Sequence, residues 1–339
     1  MLFDDTIEID GIKLTAHYIE SLSLDDREKL IDPIFRYFRN LSFIFPDDIN
    51  KVKQSYKNLC LHVPDLSSKE LYNNSSLATD VCKYFCHTFY YATGDARSRN
   101  MIELFNDDDV LKRVIDNRLG RKWGDLTNQS FNFSSKMIIQ GMRSMRLINM
   151  TSIFKPSIAK YICTKYSNEG DTVYDYSAGF CGRILGAASC NRKYIGADPL
   201  TTDDINKAIK ELELKNCEAH KIGSEHFCLE ENSVDLCFSS PPYYDQEFYS
   251  KDETQAYNKG EEYFFNVYWK KTLENCKYML KPGKKFVLNV KNQEKMLDMA
   301  KEMFILEDEI LLKTVRSHLN KKNISAVKHE SIYIFNNDI

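Results

Sequence analysis

The tetrapeptide Ser240-Pro241-Pro242-Tyr243 closes an apolar run, downstream of an acidic, glycine-containing turn at Asp175–Gly182. A polar acceptor, two rigid prolines and an aromatic ring in that order suit one task. They can hold a flat molecule carrying an exocyclic amine while that amine attacks an electrophile. Such an amine is a poor nucleophile because its lone pair is delocalised into the ring. The Ser240 hydroxyl and the Pro241 carbonyl can accept its two N–H bonds, which favours a pyramidal nitrogen. The prolines fix these acceptors beforehand, and in-line placement of reactants can remove about 7–11 kcal/mol of a barrier. Tyr243 offers a ring on which a flat substrate can stack. Chemistry at a ring carbon would instead need a thiolate, and Cys237 falls inside the preceding apolar run.

Tyr244, Asp245, Gln246, Glu247 and Tyr249 follow directly. They read either as a loop closing over the bound ring, with Asp245 or Glu247 reading its edge, or as a solvated connection. Lys251, Asp252 and Glu253 beyond them read as ordinary surface.

A second constellation lies upstream. Tyr174–Arg183 ends a strand pattern and opens a helix pattern. Its small residues Ala178, Gly179 and Gly182 let the backbone approach a ligand at a positively polarised helix N-terminus. The next strand pattern ends in Asp198, 23 positions after Asp175 (198 − 175), where an acid can accept hydrogen bonds from ribose hydroxyls. Arg183 suits either an anion or an ion pair at the helix start. Spacing alone describes any Rossmann-like nucleotide site. Cys181, however, interrupts the G-x-G-x-x-G pattern, and a dehydrogenase has no use for Ser-Pro-Pro-Tyr. Together these turn the choice from a nicotinamide cofactor to S-adenosylmethionine.

On these motifs the chain resembles the DNA amino-methyltransferases, which methylate cytosine N4 or adenine N6. Their D-x-F-x-G-x-G pattern is met at Asp175 and Gly179 and imperfectly at Cys181-Gly182, and their (D/N/S)-P-P-(Y/F) at Ser240–Tyr243. The resemblance spans about Met150 to Phe335. It implies S-adenosylmethionine held by Phe154, Lys155, Pro156, Asp175, Ser177, Gly179, Asp198 and Pro199. Contact to the cofactor's adenine amine falls to Ser224, to Glu225, or to neither, because Gly223-Ser224-Glu225 replaces the usual Gly-Asp. It also implies catalysis at Ser240, Pro241, Pro242 and Tyr243, with Ser240 favouring cytosine N4 over adenine N6. An RNA base methyltransferase and an inactive nucleic-acid-binding subunit are the alternatives.

The elements that must position these residues alternate in the second half. Strands are expected at Thr172–Tyr176, Tyr194–Asp198, Glu218–Ile222, Val234–Ser239 and Lys285–Val290, with a final antiparallel pair near Glu307–Val315 and Ser331–Phe335. Helices are expected at Gly182–Cys190, Asp203–Leu214, Glu261–Leu280 and Gln293–Met303. This alternation predicts an α/β, Rossmann-like methyltransferase sheet, mostly parallel, of seven strands with the last antiparallel. Residues 1–149 read instead as a mainly helical domain. A hairpin over Thr6–Tyr18 turns at Asp10-Gly11, and helices follow at Asp25–Phe45, Asp47–Leu59, Ser76–Ala92 and Asp108–Leu119. Residues 150–339 form the methyltransferase domain.

A base inside a duplex cannot reach such a pocket unless it is flipped out, which calls for phosphate contacts. Between Val110 and Arg146 stand Lys112, Arg113, Arg118, Arg121, Lys122, Lys136, Arg143 and Arg146, opposed only by Asp116 and Asp125. Lys313, Arg316, Lys321, Lys322 and Lys328 form a second basic stretch. Both predict a DNA surface in a chain of net charge −3, with RNA less favoured. Little sequence follows the last strand, so target recognition is expected from the helical half and the loop after Tyr243, and a partner restriction or recognition subunit is a further expectation. Trp123 suits either stacking or a structural anchor. The ten cysteines are scattered, which suits reduced thiols in a cytoplasm. Cys82 and Cys86 have helical spacing in an apolar stretch, so core packing is expected there and no metal site. No apolar run reaches the roughly 20 residues of a membrane span, and the basic region of a signal peptide is missing.

Overall fold

The computed structural model describes residues 6–41, 43, 45–68, 70–73, 75–120, 132–244, 247–314 and 328–338. The chain divides into two compact units, one of Met1–Asp48 with Tyr90–Thr151, the other of Ile49–Phe89 with Ser152–Ile339.

The first unit contains a short hairpin, β1 (Glu8–Ile9) and β2 (Ile12–Lys13), turning at the expected Asp10-Gly11. The long helix expected from Asp25 breaks at Leu30 into Leu24–Lys29 and Ile31–Arg39. Pro33 is tolerated there because it lies in the first turn of the second piece. Helix Asp108–Gly120 is close to expectation. Met101–Asn106 and Ser135–Ser144 are further helices. The former begins with a capping box: Asn100 Oδ1 accepts from the Glu103 N–H at 2.9 Å and Glu103 accepts from the Asn100 N–H at 3.0 Å.

The second unit is built on one sheet. Its strands are β3 (Glu70–Tyr72), β4 (Thr172–Asp175), β5 (Lys193–Ala197), β6 (Cys217–His220), β7 (Val234–Ser239), β8 (Leu280–Val290), β9 (Ile305–Thr314) and β10 (Lys328–Asn336), in the order β3-β9-β10-β8-β7-β4-β5-β6. Pairings among β4 to β8 are parallel, and β10 runs antiparallel to both β8 and β9. This is the Rossmann-like methyltransferase sheet expected from the sequence, with the antiparallel final strand. The eighth strand, β3, was not expected; it runs parallel to β9 at the edge.

That edge strand shows why the boundary at residue 149 is too simple. Residues 49–89 belong with the sheet, since Glu70–Tyr72 pairs with Leu311–Lys313. In addition, the buried Lys160 ammonium donates to the Leu59 and Cys60 carbonyls, each at 2.8 Å, and closes helix Ile49–Leu61. Cys82 and Cys86 are core residues of the same unit.

The topology makes the site. From β4 the chain winds outward through β5 to β6, then returns to β7 on the other side and continues to β8. The crevice at the carboxyl ends of β4 and β7 is therefore a switch point, where open α/β sheets bind ligands. Every residue of β7 is buried, as a strand covered on both faces must be. Behind it Tyr176, Phe286 and Phe304 form a stacked column, with ring centroids 5.4 and 4.5 Å apart.

Candidate active site

β4 delivers Asp175 to the switch point, but the chain itself saturates this carboxylate. Its Oδ1 accepts from the Ser239 hydroxyl at 2.7 Å and the Ser177 N–H at 3.3 Å. Its Oδ2 accepts from Arg183 Nε and the Tyr194 hydroxyl, both at 2.8 Å. These four donors fill the acceptor positions of a carboxylate. Asp175 therefore ties together the ends of β4, β5 and β7 and does not line the cleft. Arg183 also donates to the Ser177 carbonyl. Of its two sequence readings, the ion pair is the one observed. Burial works against its charge, and the Asp175 carboxylate outweighs that.

Above this network the turn takes left-handed backbone at Gly179 (φ +58°) and Cys181 (φ +64°). Glycine is at ease there, whereas cysteine costs about 1–2 kcal/mol. The Cys181 thiol is buried, 3.1 Å from that of Cys86. Two residues earlier in the same turn, the Gly179 N–H donates to Asp198 Oδ2 at 2.9 Å. At Gly182 a Cβ would collide with the Phe154 carbonyl, so only glycine lets the helix start approach that segment. Helix Pro156–Tyr166 begins with Pro156 at its first position.

Asp198 lies just beyond β5. Besides Gly179, the N–H groups of Leu200 and Thr201 donate to its Oδ1, each at 2.8 Å. Burial raises its pKa and these N–H groups pull it back. Three of about four acceptor positions are thus used, leaving one for a ligand hydroxyl. Beyond β6 the ambiguity at Gly223-Ser224-Glu225 is reduced. The Ser224 hydroxyl pairs with Thr272 at 2.7 Å. Glu225 is 5% exposed; its Oε1 accepts from the Tyr263 hydroxyl at 3.2 Å, while its Oε2 has no hydrogen-bond partner among the described residues.

These groups and the Ser-Pro-Pro-Tyr segment line one cleft of about 1150 Å3, its open mouth included. From the sequence-predicted residues the cleft gathers Phe154, Lys155, Ser177, Gly179, Asp198, Pro199, Ser224, Glu225, Ser240, Pro242 and Tyr243. Asp175, Pro156 and Pro241 stand behind its wall. Tyr243 is only 7% exposed and its hydroxyl donates to Glu330 Oε1 at 2.7 Å. It is an anchored wall of the cleft more than an open stacking platform.

Sequence reasoning missed several lining residues. Gln255 is 8% exposed and its Nε2 has no hydrogen-bond partner among the described residues. Tyr268 pairs its hydroxyl with Ser177 Oγ at 3.2 Å. It projects from a π-helical turn, Phe264–Trp269, inside the helix expected at Glu261–Leu280. Such widened turns recur at functional sites. Asn289, Leu312 and Glu330 come from β8, β9 and β10, and Asn73 follows β3. Only the pairing of distant strands brings these four together. Glu247 lines the cleft, while Asp245 and Gln246 lie outside the described residues.

The basic residues are dispersed. Arg118 must be corrected as a phosphate contact: it is 7% exposed, and its guanidinium donates to Gln140 Oε1 at 3.3 Å inside its unit. Lys112 is bridged to Asp32 at 2.9 Å, and Lys313 to Glu70. Arg113, Arg143 and Arg146 are exposed. Arg121, Lys122, Trp123, Arg316, Lys321 and Lys322 lie outside the described residues, as does the side chain of Lys328. Among the described residues no helix is long and apolar enough to cross a membrane.

No family profile matches the sequence, and no curated protein does. Among solved structures the chain is similar to TrmN from Thermus thermophilus, with 17% identity, 53% of this chain and 48% of that one covered, and a TM-score of 0.38. It thus spans about half the length of that protein. It is also similar to a SAM-dependent O-methyltransferase from Thermotoga maritima, at 16% identity over 61% of this chain and 72% of that one, with a TM-score of 0.39. The tRNA (m1A58) methyltransferase TrmI from Aquifex aeolicus matches at 15% identity over 66% and 84%, with a TM-score of 0.39. The fold assignment rests on the strand order and the switch-point cleft.

Proposed function

We propose that this protein transfers a methyl group from S-adenosylmethionine to the exocyclic amine of a DNA base, cytosine N4 in preference to adenine N6. The observation that carries the reading is a single cleft lined both by Gly179, Asp198 and Glu225 and by Ser240, Pro242 and Tyr243.

The cofactor fits the groups left without partners. Glu225 Oε2 is an acceptor and Gln255 Nε2 a donor, both on side chains more than nine-tenths buried that line the cleft. An adenine edge, an amine beside a ring nitrogen, satisfies one of each. Asp198 retains an acceptor position for a ribose hydroxyl. S-adenosylmethionine, when bound, supplies an electrophilic methyl group with a neutral thioether as leaving group. The Ser240 hydroxyl accepts an N–H bond of the attacking amine and aims its lone pair. The amine proton becomes acidic once the new N–C bond has formed, so water can remove it and no strong base is required. Exposed Arg113, Arg143 and Arg146 suit phosphate contacts.

The test is methyl transfer from labelled cofactor to DNA and to RNA, followed by digestion to nucleosides. N4-methylcytosine or N6-methyladenine from DNA is expected. The same bases methylated only in RNA would move the substrate to RNA. A 5-methylcytosine, a methylated ribose or a methylated small molecule would overturn the mechanism.

A further inference from the structure

Two carboxylates, Glu247 from the loop after Tyr243 and Glu330 from β10, line the same cleft as Ser240 and Pro242. Each is held by one tyrosine: the Tyr249 hydroxyl donates to Glu247 Oε2, and the Tyr243 hydroxyl to Glu330 Oε1 at 2.7 Å. Among the described residues no salt bridge reaches either acid. Arg183, a cation of the lining, is spent on Asp175 and Ser177. The other is Lys155, at the start of helix Pro156–Tyr166. The cleft's other titratable groups are Asp198, Glu225, Tyr176, Tyr243, Tyr249 and Tyr268, with the Tyr257 hydroxyl accepting from the Tyr249 N–H. Burial pushes these phenols up, so they stay protonated donors at any physiological pH. Two acids that share a cleft, neither reached by a salt bridge among the described residues, do not both ionise readily.

We propose that Glu247 stays neutral in this pair and donates its O–H to the ring nitrogen beside the methyl-accepting amine. This rests on the amine-methylation reading and sharpens it. Glu247 Oε1 faces no partner among the described residues, so it is the oxygen left for a ligand. An O–H there complements an amine beside a ring acceptor, the edge of cytosine (N4, N3) and of adenine (N6, N1). It clashes with guanine's Watson–Crick edge, where the amine stands beside the N1–H donor. The acid is the right one of the pair to be neutral. Burial pushes the Glu247 carboxyl up, the Tyr249 hydroxyl pulls it back, and the Glu330 charge adds to the rise.

The sign of the pH dependence follows. A neutral donor exists below its pKa, so kcat/KM falls as pH rises through that value. The experiment measures methyl transfer to heat-denatured total DNA from about pH 5 to about pH 9, for wild type, Glu247→Gln, Glu247→Ala and Glu330→Gln. Glu247→Gln keeps an N–H donor that does not titrate, so its profile loses the alkaline fall. Glu247→Ala leaves the ring nitrogen unpaired and lowers kcat/KM about tenfold below the glutamine variant. Glu330→Gln still accepts from Tyr243 but removes the charge, which moves the alkaline fall to lower pH. Calorimetric binding of S-adenosylmethionine checks that the variants are folded. Activity that rises with pH, or a glutamine variant no better than alanine, would overturn the proposal and leave amine methylation standing. Absence of any methylated amino base would overturn both.

Discussion

The Asp175 carboxylate and the Arg183 guanidinium meet at 2.8 Å beneath the Gly179 turn, with side chains 0% and 6% exposed. This pair supports the cleft, since the same carboxylate, from behind its lining, also holds Ser239 and Tyr194. Removing one member leaves a buried charge uncompensated, which costs about 3–5 kcal/mol. Arg183→Met should therefore lower the unfolding free energy in urea by that amount. Arg183→Met combined with Asp175→Asn should recover part of it, since the orphaned charge is gone. Equal losses in the single and double variants would mean that the ion pair contributes nothing beyond packing.

Cofactor affinity separates the two residues that follow Gly223. Glu225→Ala removes Oε2, an acceptor with no hydrogen-bond partner among the described residues, so its loss should appear in binding. A weakening of about 1–3 kcal/mol in calorimetry is expected. Ser224→Ala should weaken binding less and lower thermal stability instead, because it abandons the buried Thr272 hydroxyl. Asp198→Ala should do both, as Asp198 holds Gly179, Leu200 and Thr201 as well as a ligand hydroxyl. A Ser224→Ala variant weaker than Glu225→Ala would reverse the assignment.

Much of this site is written locally, and what is local could be read. The positions after β4, β5 and β7 follow from strand-to-helix punctuation, and Gly179, Asp198 and Ser240 fall at those ends. The roles within the site were less legible. Asp175 looks like a ligand in sequence because nothing local reveals that Ser239, Tyr194 and Arg183 converge on it from three elements. Glu330 and Asn73 are silent for the same reason, their approach depending on β10 between β8 and β9 and on an edge strand of three residues. Helix Met101–Asn106 was missed although Asn100 and Glu103 carry a capping signal, because six residues show too little periodicity. The π-turn at Phe264–Trp269 arises where Phe264, Phe265, Tyr268 and Trp269 are all buried, a packing demand no helical pattern announces. Arg118 was misread because charge was taken for exposure; it lies in the helix face that packs on Ser135–Ser144.

That misreading gives a contrast for nucleic-acid binding. Replacing Arg113, Arg143 and Arg146 by alanine should weaken DNA binding and reduce the slope of log K against log salt. The slope should shrink by about 0.9 for each phosphate that is no longer neutralised. Arg118→Ala should instead lower thermal stability and leave the slope as it is. A triple variant with an unaltered slope would remove this surface from the DNA-binding face.

Acid stability should report on Asp95. Its carboxylate accepts from Asn149 Nδ2, the Ser98 hydroxyl and the N–H groups of Arg97 and Ser98, all at 2.8 Å. Asn149 first, then Ser98, lower its pKa to about 2. A depressed folded-state pKa means that the stabilisation is complete above the unfolded value, near 3.9, and fades as pH falls toward about 2. Asp95→Asn should therefore reduce the melting temperature at neutral pH and flatten its decline between about pH 4 and about pH 2. An unchanged acid limb would assign the decline to other carboxylates.

Tyr243 joins an aromatic ring to an anchoring hydroxyl, and two substitutions separate them. Tyr243→Phe keeps the ring but breaks the 2.7 Å bond to Glu330. The wall then loses its tether and a carboxylate loses its donor. Turnover should fall by about two- to tenfold, the range expected of one ordinary hydrogen bond of about 0.5–1.5 kcal/mol. Tyr243→Ala removes the ring as well, adding about 1–3 kcal/mol if the base stacks there, by analogy with single-strand stacking. Cofactor affinity, set chiefly beyond β5 and β6, should stay near wild type in both, so the loss appears in kcat at saturating S-adenosylmethionine. Equal turnover in the two variants would mean that the ring gives no stacking surface and acts only through Glu330. Full activity in Tyr243→Ala would remove the Ser-Pro-Pro-Tyr segment from the reaction.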